Sequence, residues 1–124
     1  MTPLILSPTE DTPEISFDNT SGKLMMSGTS IPENARKFYD VVIDWISQYA
    51  QSPCESTSIN FKLKYFNTAS TKYLFDIMVV AKDIMKNGKT LVINWFYMED
   101  DEDMYEAGMG FSKMLRYPFN FVKY

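Results

Sequence analysis

A single α/β domain is the fold this sequence predicts, with a mixed sheet of about five to six strands, an N-terminal β-hairpin and three helices mainly on one face. Three observations carry that expectation. Ile59, Phe61, Leu63 and Tyr65 alternate with Asn60, Lys62 and Lys64, the period-2 pattern of a strand with one buried face. The spacing then switches, and Leu74, Ile77, Met78, Ala81, Ile84 and Met85 fall on one helical stripe. After Gly88, the run Lys89 to Met98 is a nearly continuous apolar strand, which suits an inner position in a sheet.

The elements follow in order. Pro3, Pro8 and Pro13 punctuate residues 1–13, so this stretch reads as a loose N-terminal arm or edge segment. Glu14-Ile15-Ser16-Phe17-Asp18 and Lys23-Leu24-Met25-Met26-Ser27 flank the turn Asn19-Thr20-Ser21-Gly22 and form a hairpin. Pro32 and Glu33 suit the first turn of a helix running from about Pro32 to Ala50. Its buried stripe is Phe38, Val42, Trp45, Ile46 and Tyr49. Gln51 to Ser56 is a loop, and the strand around Asn60–Tyr65 follows it.

Phe66 to Thr71 is a polar turn before the second helix, which runs from Lys72 to the stop at Asn87-Gly88. The acids Glu99 to Asp103 lead into a third helix, about Asp103 to Leu115, which they favour by facing its positive end. Gly108 and Gly110 weaken that helix by roughly 1 kcal/mol each relative to alanine. Tyr117 to Tyr124 is a last strand, kept to an edge or a strand start by Pro118. A β-α-β-α-β succession calls for parallel pairing, to which the hairpin adds antiparallel strands. Lys62 and Lys64 imply that one sheet face stays partly wet, so the helices gather on the other.

Composition excludes several functions. A net charge of −4 and a pI near 4.7 argue against a nucleic-acid partner, which needs a basic footprint. Glu99 to Asp103 supply five of the 16 acids, leaving 11 against 12 bases over the rest of the chain. With no histidine, the chain lacks the commonest general base and zinc ligand, which rules out a triad hydrolase. The acidic run lacks the alternating ligands and central glycine of a calcium loop, so no metal site is expected. No glycine-rich phosphate loop is present, and no cofactor is expected. The single Cys54 has no basic neighbour to activate it and points to a reducing compartment. No apolar run is long enough for membrane insertion, and the first residues lack the features of a signal peptide; the expected location is cytoplasmic.

What remains is the hydroxyl cluster Asn67, Thr68, Ser70 and Thr71 where the second helix begins. Thr68 read alone is most simply a helix cap. A phosphate on the same hydroxyl would face the positive end of the helix dipole and add about −1.5 to −2 charges. Phe75 and Val79, one turn apart near Lys72 and Asp76, lie outside the buried stripe and form a plausible docking edge.

These residues carry a resemblance. The strand-turn-helix resembles the phospho-acceptor segment of STAS-like regulators, the anti-sigma-factor-antagonist fold. Phe66-Asn67-Thr68-Ala69-Ser70-Thr71-Lys72 is similar to the Asn-Thr-Ser-Ser-x-Lys signature of the SiaC-type regulatory phosphoprotein family, with Ala69 where the family pattern has serine. Ser30-Ile31-Pro32-Glu33-Asn34 looks like that family's Pro-Glu-Asn motif. The likeness runs from about Asp11 to Val122. It implies a STAS-like domain over 1–124 and a non-catalytic switch protein, not an enzyme. It also implies three partners: a diguanylate cyclase of cyclic-di-GMP signalling, a Ser/Thr protein kinase, and a metal-dependent Ser/Thr phosphatase. Thr68 would be the phosphorylated residue, flanked by Asn67 and Ser70. Lys72, Phe75, Asp76 and Val79 join them as the partner-binding edge on helix geometry alone. The alternative is a small-molecule or lipid-ligand binder using the aromatic strand Trp95-Phe96-Tyr97.

Overall fold

The apolar alternations assemble one six-stranded sheet in sequence order, seen in a computed structural model that describes all residues 1–124. Its strands are β1 (Leu4–Leu6), β2 (Glu14–Asp18), β3 (Lys23–Ser30), β4 (Ser56–Phe66), β5 (Thr90–Tyr97) and β6 (Asn120–Lys123). β1, β2 and β3 pair antiparallel, and β3 to β6 pair parallel. Helices α1 (Ala35–Tyr49), α2 (Thr68–Lys82) and α3 (Glu102–Leu115) make the three crossovers. The segment 1–13 contributes the edge strand β1, and the carbonyl of Thr2 accepts a hydrogen bond from Trp45 Nε1 on α1 at 2.8 Å. No helix is long and apolar enough to cross a membrane.

The mixed sheet and one-sided helical layer agree with the sequence reading. The core lies between them, with Ile15, Phe17, Leu24, Met26, Ile59, Phe61, Leu63, Ile93 and Trp95 turned towards the helices. The other face is polar, crossed by an asparagine row in which Asn94 Nδ2 donates to Asn60 Oδ1 at 2.8 Å and Asn120 Nδ2 donates to Asn94 Oδ1 at 3.2 Å. Lys62 lies there too, its ammonium 4.7 Å from the ring centre of Tyr124.

Local expectations shift in five places, the first being that α1 starts at Ala35, capped by Asn34, rather than at Pro32. Tyr65 is 58% exposed rather than buried, because β4 carries a bulge opposite Gly28. Gly28 pairs with Leu63 and Thr29 with Tyr65, so one residue of β4 is skipped and the alternation changes phase. Phe66 takes the core-side place instead, tilted against Trp95 and Phe111. On α1, Tyr39 is fully buried, whereas Phe38 is only half-buried at the margin of the stripe. α2 begins at Thr68, one turn before the expected Lys72, because Asn67 caps it. It also ends early, at Lys82, and Asp83–Gly88 continues as a 3-10 segment in which Asn87 and Gly88 adopt positive φ.

The two glycines of α3 are not equivalent. A Cβ on Gly108 would fall inside the indole of Trp95, 2.6 Å from Nε1, and that nitrogen is itself held by donation to Met104 O at 2.8 Å. Gly110 faces open space. Gly108→Ala is therefore expected to destabilise by about 1–3 kcal/mol through overpacking. Gly110→Ala should stabilise by up to about 1 kcal/mol through helix propensity. Denaturant melts of the two variants check both signs.

Candidate phosphoacceptor site

The site is built where β3 and β4 end side by side. The bulged register pairs Ser30 with Phe66, so the next residue, Asn67, sends its backbone N–H to Ser30 O at 3.0 Å. Asn67 then caps α2, its Oδ1 accepting from Ser70 N at 3.0 Å. Ser70 is fully buried beneath the cap. Its Oγ lies 2.8 Å from Asn67 Oδ1, 3.0 Å from Ser30 O and 2.8 Å from Ser30 Oγ. Ser30 Oγ also hydrogen-bonds Tyr39 OH on α1.

One proton arrangement satisfies the whole group. Tyr39 donates to Ser30, Ser30 donates to Ser70, and Ser70 donates to one of its two carbonyl neighbours. Burial holds the Tyr39 phenol above its ordinary pKa, with the hydrogen bond to Ser30 opposing that shift. The Tyr39 ring stacks on Tyr73 of α2, 5.4 Å between centroids and 3° between planes. The start of α2 is thus tied to both α1 and the sheet.

This geometry sorts the hydroxyls of the turn. Ser70 cannot meet a partner directly: it is sealed inside, which corrects its place on the expected binding edge. Asn67 is half-buried and committed to capping, so its side-chain oxygen also points inward. Thr71 Oγ1 donates back to Asn67 O at 3.4 Å. Thr68 is not the cap; it is the first residue of the helix, is exposed, and makes no side-chain hydrogen bond within the chain. The first turn of α2 contains no acid, whereas that of α3 contains Glu102 and Asp103. Its positive end is therefore left without a side-chain counter-charge.

From Thr68 the exposed ridge of α2 continues through Lys72, Phe75, Asp76 and Val79. These are positions i, i+4, i+7, i+8 and i+11, which lie on one face at 3.6 residues per turn. Lys72 Nζ stands 3.3 Å from Asp76 Oδ2. Val79 is 46% exposed. Phe75 is half-buried, its ring stacked against Phe111 of α3 at 14° with centroids 6.4 Å apart, so only its outer edge is free. Sequence reasoning placed this ridge but missed Ser30 and Tyr39 as the buried partners of Ser70. Only the motif Ser30 to Asn34 pointed there, because their contact depends on strand pairing across 40 residues.

The side chains of the aromatic strand are packed against neighbours. Trp95 is fully buried among Phe61, Phe66, Phe111 and Phe119, with Gly108 against its indole. Phe96 lies on the opposite face under Lys62, and Tyr97 packs on Tyr105. The hollow beside Tyr97, about 340 Å³, is lined by Glu99, Asp101, Glu102 and Glu106, which suits neither a lipid nor an apolar ligand. This corrects the alternative reading: the core is solid where an apolar pocket would have to open.

Comparison with known proteins adds a family and relatives. The family model described as SiaC family regulatory phosphoprotein matches residues 6–124. The chain is 29% identical over 119 residues to an uncharacterized protein of Pseudomonas aeruginosa (strain UCBPP-PA14), a match that covers 96% of this chain and 94% of that protein. In three dimensions it is similar to SiaC in the crystal structure of the diguanylate cyclase SiaD in complex with its activator SiaC from Pseudomonas aeruginosa. That match has a TM-score of 0.89 and 28% identity, and it covers 98% of this chain and 99% of that one. The crystal structure of apo-SiaC from the same organism gives a TM-score of 0.84 at 28% identity, covering 99% of this chain and 98% of that one.

Replacing Ser70 by alanine removes a buried hydroxyl from three polar neighbours and is expected to cost about 1–3 kcal/mol of stability. Ser70→Asp buries a charge without a cation and should cost more, about 3 kcal/mol or above. Denaturant unfolding measures both. Equal stability of parent and Ser70→Asp would contradict the sealed network.

Proposed function

Because the chain belongs to the SiaC family of regulatory phosphoproteins, we propose that it is a one-domain, non-catalytic phospho-switch of the cytoplasm. Its partner is a diguanylate cyclase, which it binds and regulates according to the phosphorylation of Thr68. Support for the partner comes from P. aeruginosa SiaC, similar to this chain over nearly its whole length, which is the activator of SiaD in a complex with that cyclase. The observation that carries the site is the position of Thr68: an exposed hydroxyl at the first residue of α2, in line with the exposed Lys72 and Val79.

A kinase forms an Oγ1–P bond at Thr68 as the bond from the γ-phosphorus of ATP to the β,γ-bridging oxygen breaks. ADP leaves, and the hydroxyl proton passes to the kinase's catalytic carboxylate. A metal-dependent phosphatase returns the hydroxyl by delivering water and releasing inorganic phosphate. The fold is expected to tolerate both states, because Thr68 is exposed at the start of a helix whose first turn holds no acid. The readout is electrostatic. Unmodified, the ridge from Thr68 to Val79 packs against a partner with one neutral hydroxyl at its end. Phosphorylated, the same contact must desolvate about two negative charges or supply cations for them.

Thr68→Ala and Thr68→Asp are expected to differ at least about tenfold in affinity for the cognate cyclase, the equivalent of about 1.4 kcal/mol. Titration calorimetry with purified cyclase gives the comparison, and intact mass after incubation with the kinase locates the phosphate. Identical affinities for both variants and the parent would remove the switch. A phosphate mass increment that persists in Thr68→Ala would move it elsewhere.

A further inference from the structure

Lys72 sits midway on the ridge, one turn beyond Thr68 and one turn before Asp76. In the unmodified protein its ammonium is paired with Asp76 at 3.3 Å, the two side chains 75% and 39% exposed. The same nitrogen lies 5.0 Å from the ring centre of Tyr73. Two physical facts make this pairing the weaker of the two open to Lys72. On a helix, an acid four residues before a lysine is better placed than one four residues after it, because the former arrangement agrees with the helix dipole. Asp76 follows Lys72, whereas a phosphate on Thr68 would precede it. A phosphate also carries about twice the charge of a carboxylate and three acceptor oxygens.

We infer that Lys72 is a shared counter-ion that leaves Asp76 for the phosphate when Thr68 is phosphorylated, so that an unpaired carboxylate appears two turns away beside Phe75 and Val79. This rests on Thr68 being the modified residue and deepens that reading by naming what a partner reads. Before modification the ridge is self-neutralised, with Lys72 and Asp76 answering one another, and an apolar surface can lie against Phe75 and Val79. After modification the positive charge has moved to the helix start, and Asp76 stands alone in the docking edge. An apolar partner then has to bury a bare carboxylate, whereas a partner with a cation opposite Asp76 gains a charge-assisted contact. One covalent event at the end of the ridge therefore changes the chemistry at its middle without any backbone movement.

The test uses full-length protein with phosphothreonine genetically encoded at position 68, so that it depends on no kinase. The carboxyl carbon resonance of Asp76 is followed by NMR at neutral pH, and the exchange rate of the Lys72 ammonium protons is measured alongside it. In the parent, phosphorylation is expected to shift the Asp76 resonance and slow the Lys72 exchange by about twofold or more, the ratio set by a helix ion pair of about 0.5 kcal/mol. In Lys72→Met the Asp76 resonance should already occupy the shifted position and stay there on phosphorylation; Lys72→Arg should restore the movement. An Asp76 resonance that ignores the phosphate, or one that moves equally in Lys72→Met, overturns the exchange of partners. The underlying switch fails by a different result: a cyclase that binds the phosphothreonine protein and the unmodified protein with equal affinity.

Discussion

The carbonyl and hydroxyl of Ser30 are the point on which this architecture turns. Three separate elements converge there: the carbonyl accepts the N–H of Asn67, the hydroxyl meets Tyr39 of α1, and both oxygens lie within hydrogen-bonding distance of Ser70 in α2. Ser30, Tyr39 and Ser70 are fully shielded from water, where an unmade hydrogen bond costs about 1–3 kcal/mol. The penalty for misplacement fixes the start of α2 to within bonding distance of the sheet. Thr68 is exposed as a consequence. With Ser70 held inward and Asn67 turned over the cap, the first helical residue has only solvent in front of it.

The β4 bulge supplies the register for that arrangement. Without the skipped residue, Tyr65 would point into the core and Phe66 out, and Asn67 would reach Ser30 in the wrong phase. Gly28, at φ 108° on the neighbouring strand, takes the backbone shape that the irregularity requires and that other residues rarely adopt. Bulges concentrate next to functional sites because they re-aim side chains, and this one aims a helix.

Rigidity around the ridge comes from aromatic packing. Tyr39 on Tyr73 fastens α2 to α1, while Phe75 on Phe111 fastens it to α3. Trp95, lying over Gly108 and bonded to Met104, fastens α3 to the sheet. A ridge supported from both sides is held in one backbone position. A regulatory contact can then be read through electrostatics alone, which suits a family of regulatory phosphoproteins.

Periodicity by itself determined the succession of strands and helices, the wet and dry faces of the sheet, and the helical ridge through Lys72, Phe75, Asp76 and Val79. These follow from spacing along the chain, which local geometry converts directly into faces. The short motifs around Thr68 and Ser30–Asn34 pointed to the family that the match over residues 6–124 shows. Tertiary structure alone decided that Thr68 is exposed while Ser70, two residues on, is sealed, and that Asn67 rather than Thr68 caps the helix. It also decided that Gly108 is required by Trp95 and that Tyr65 faces water. The burial of Ser70, the exposure of Tyr65 and the need for Gly108 depend on what lies opposite in another element, and no spacing rule within a single segment encodes a neighbour 40 residues away.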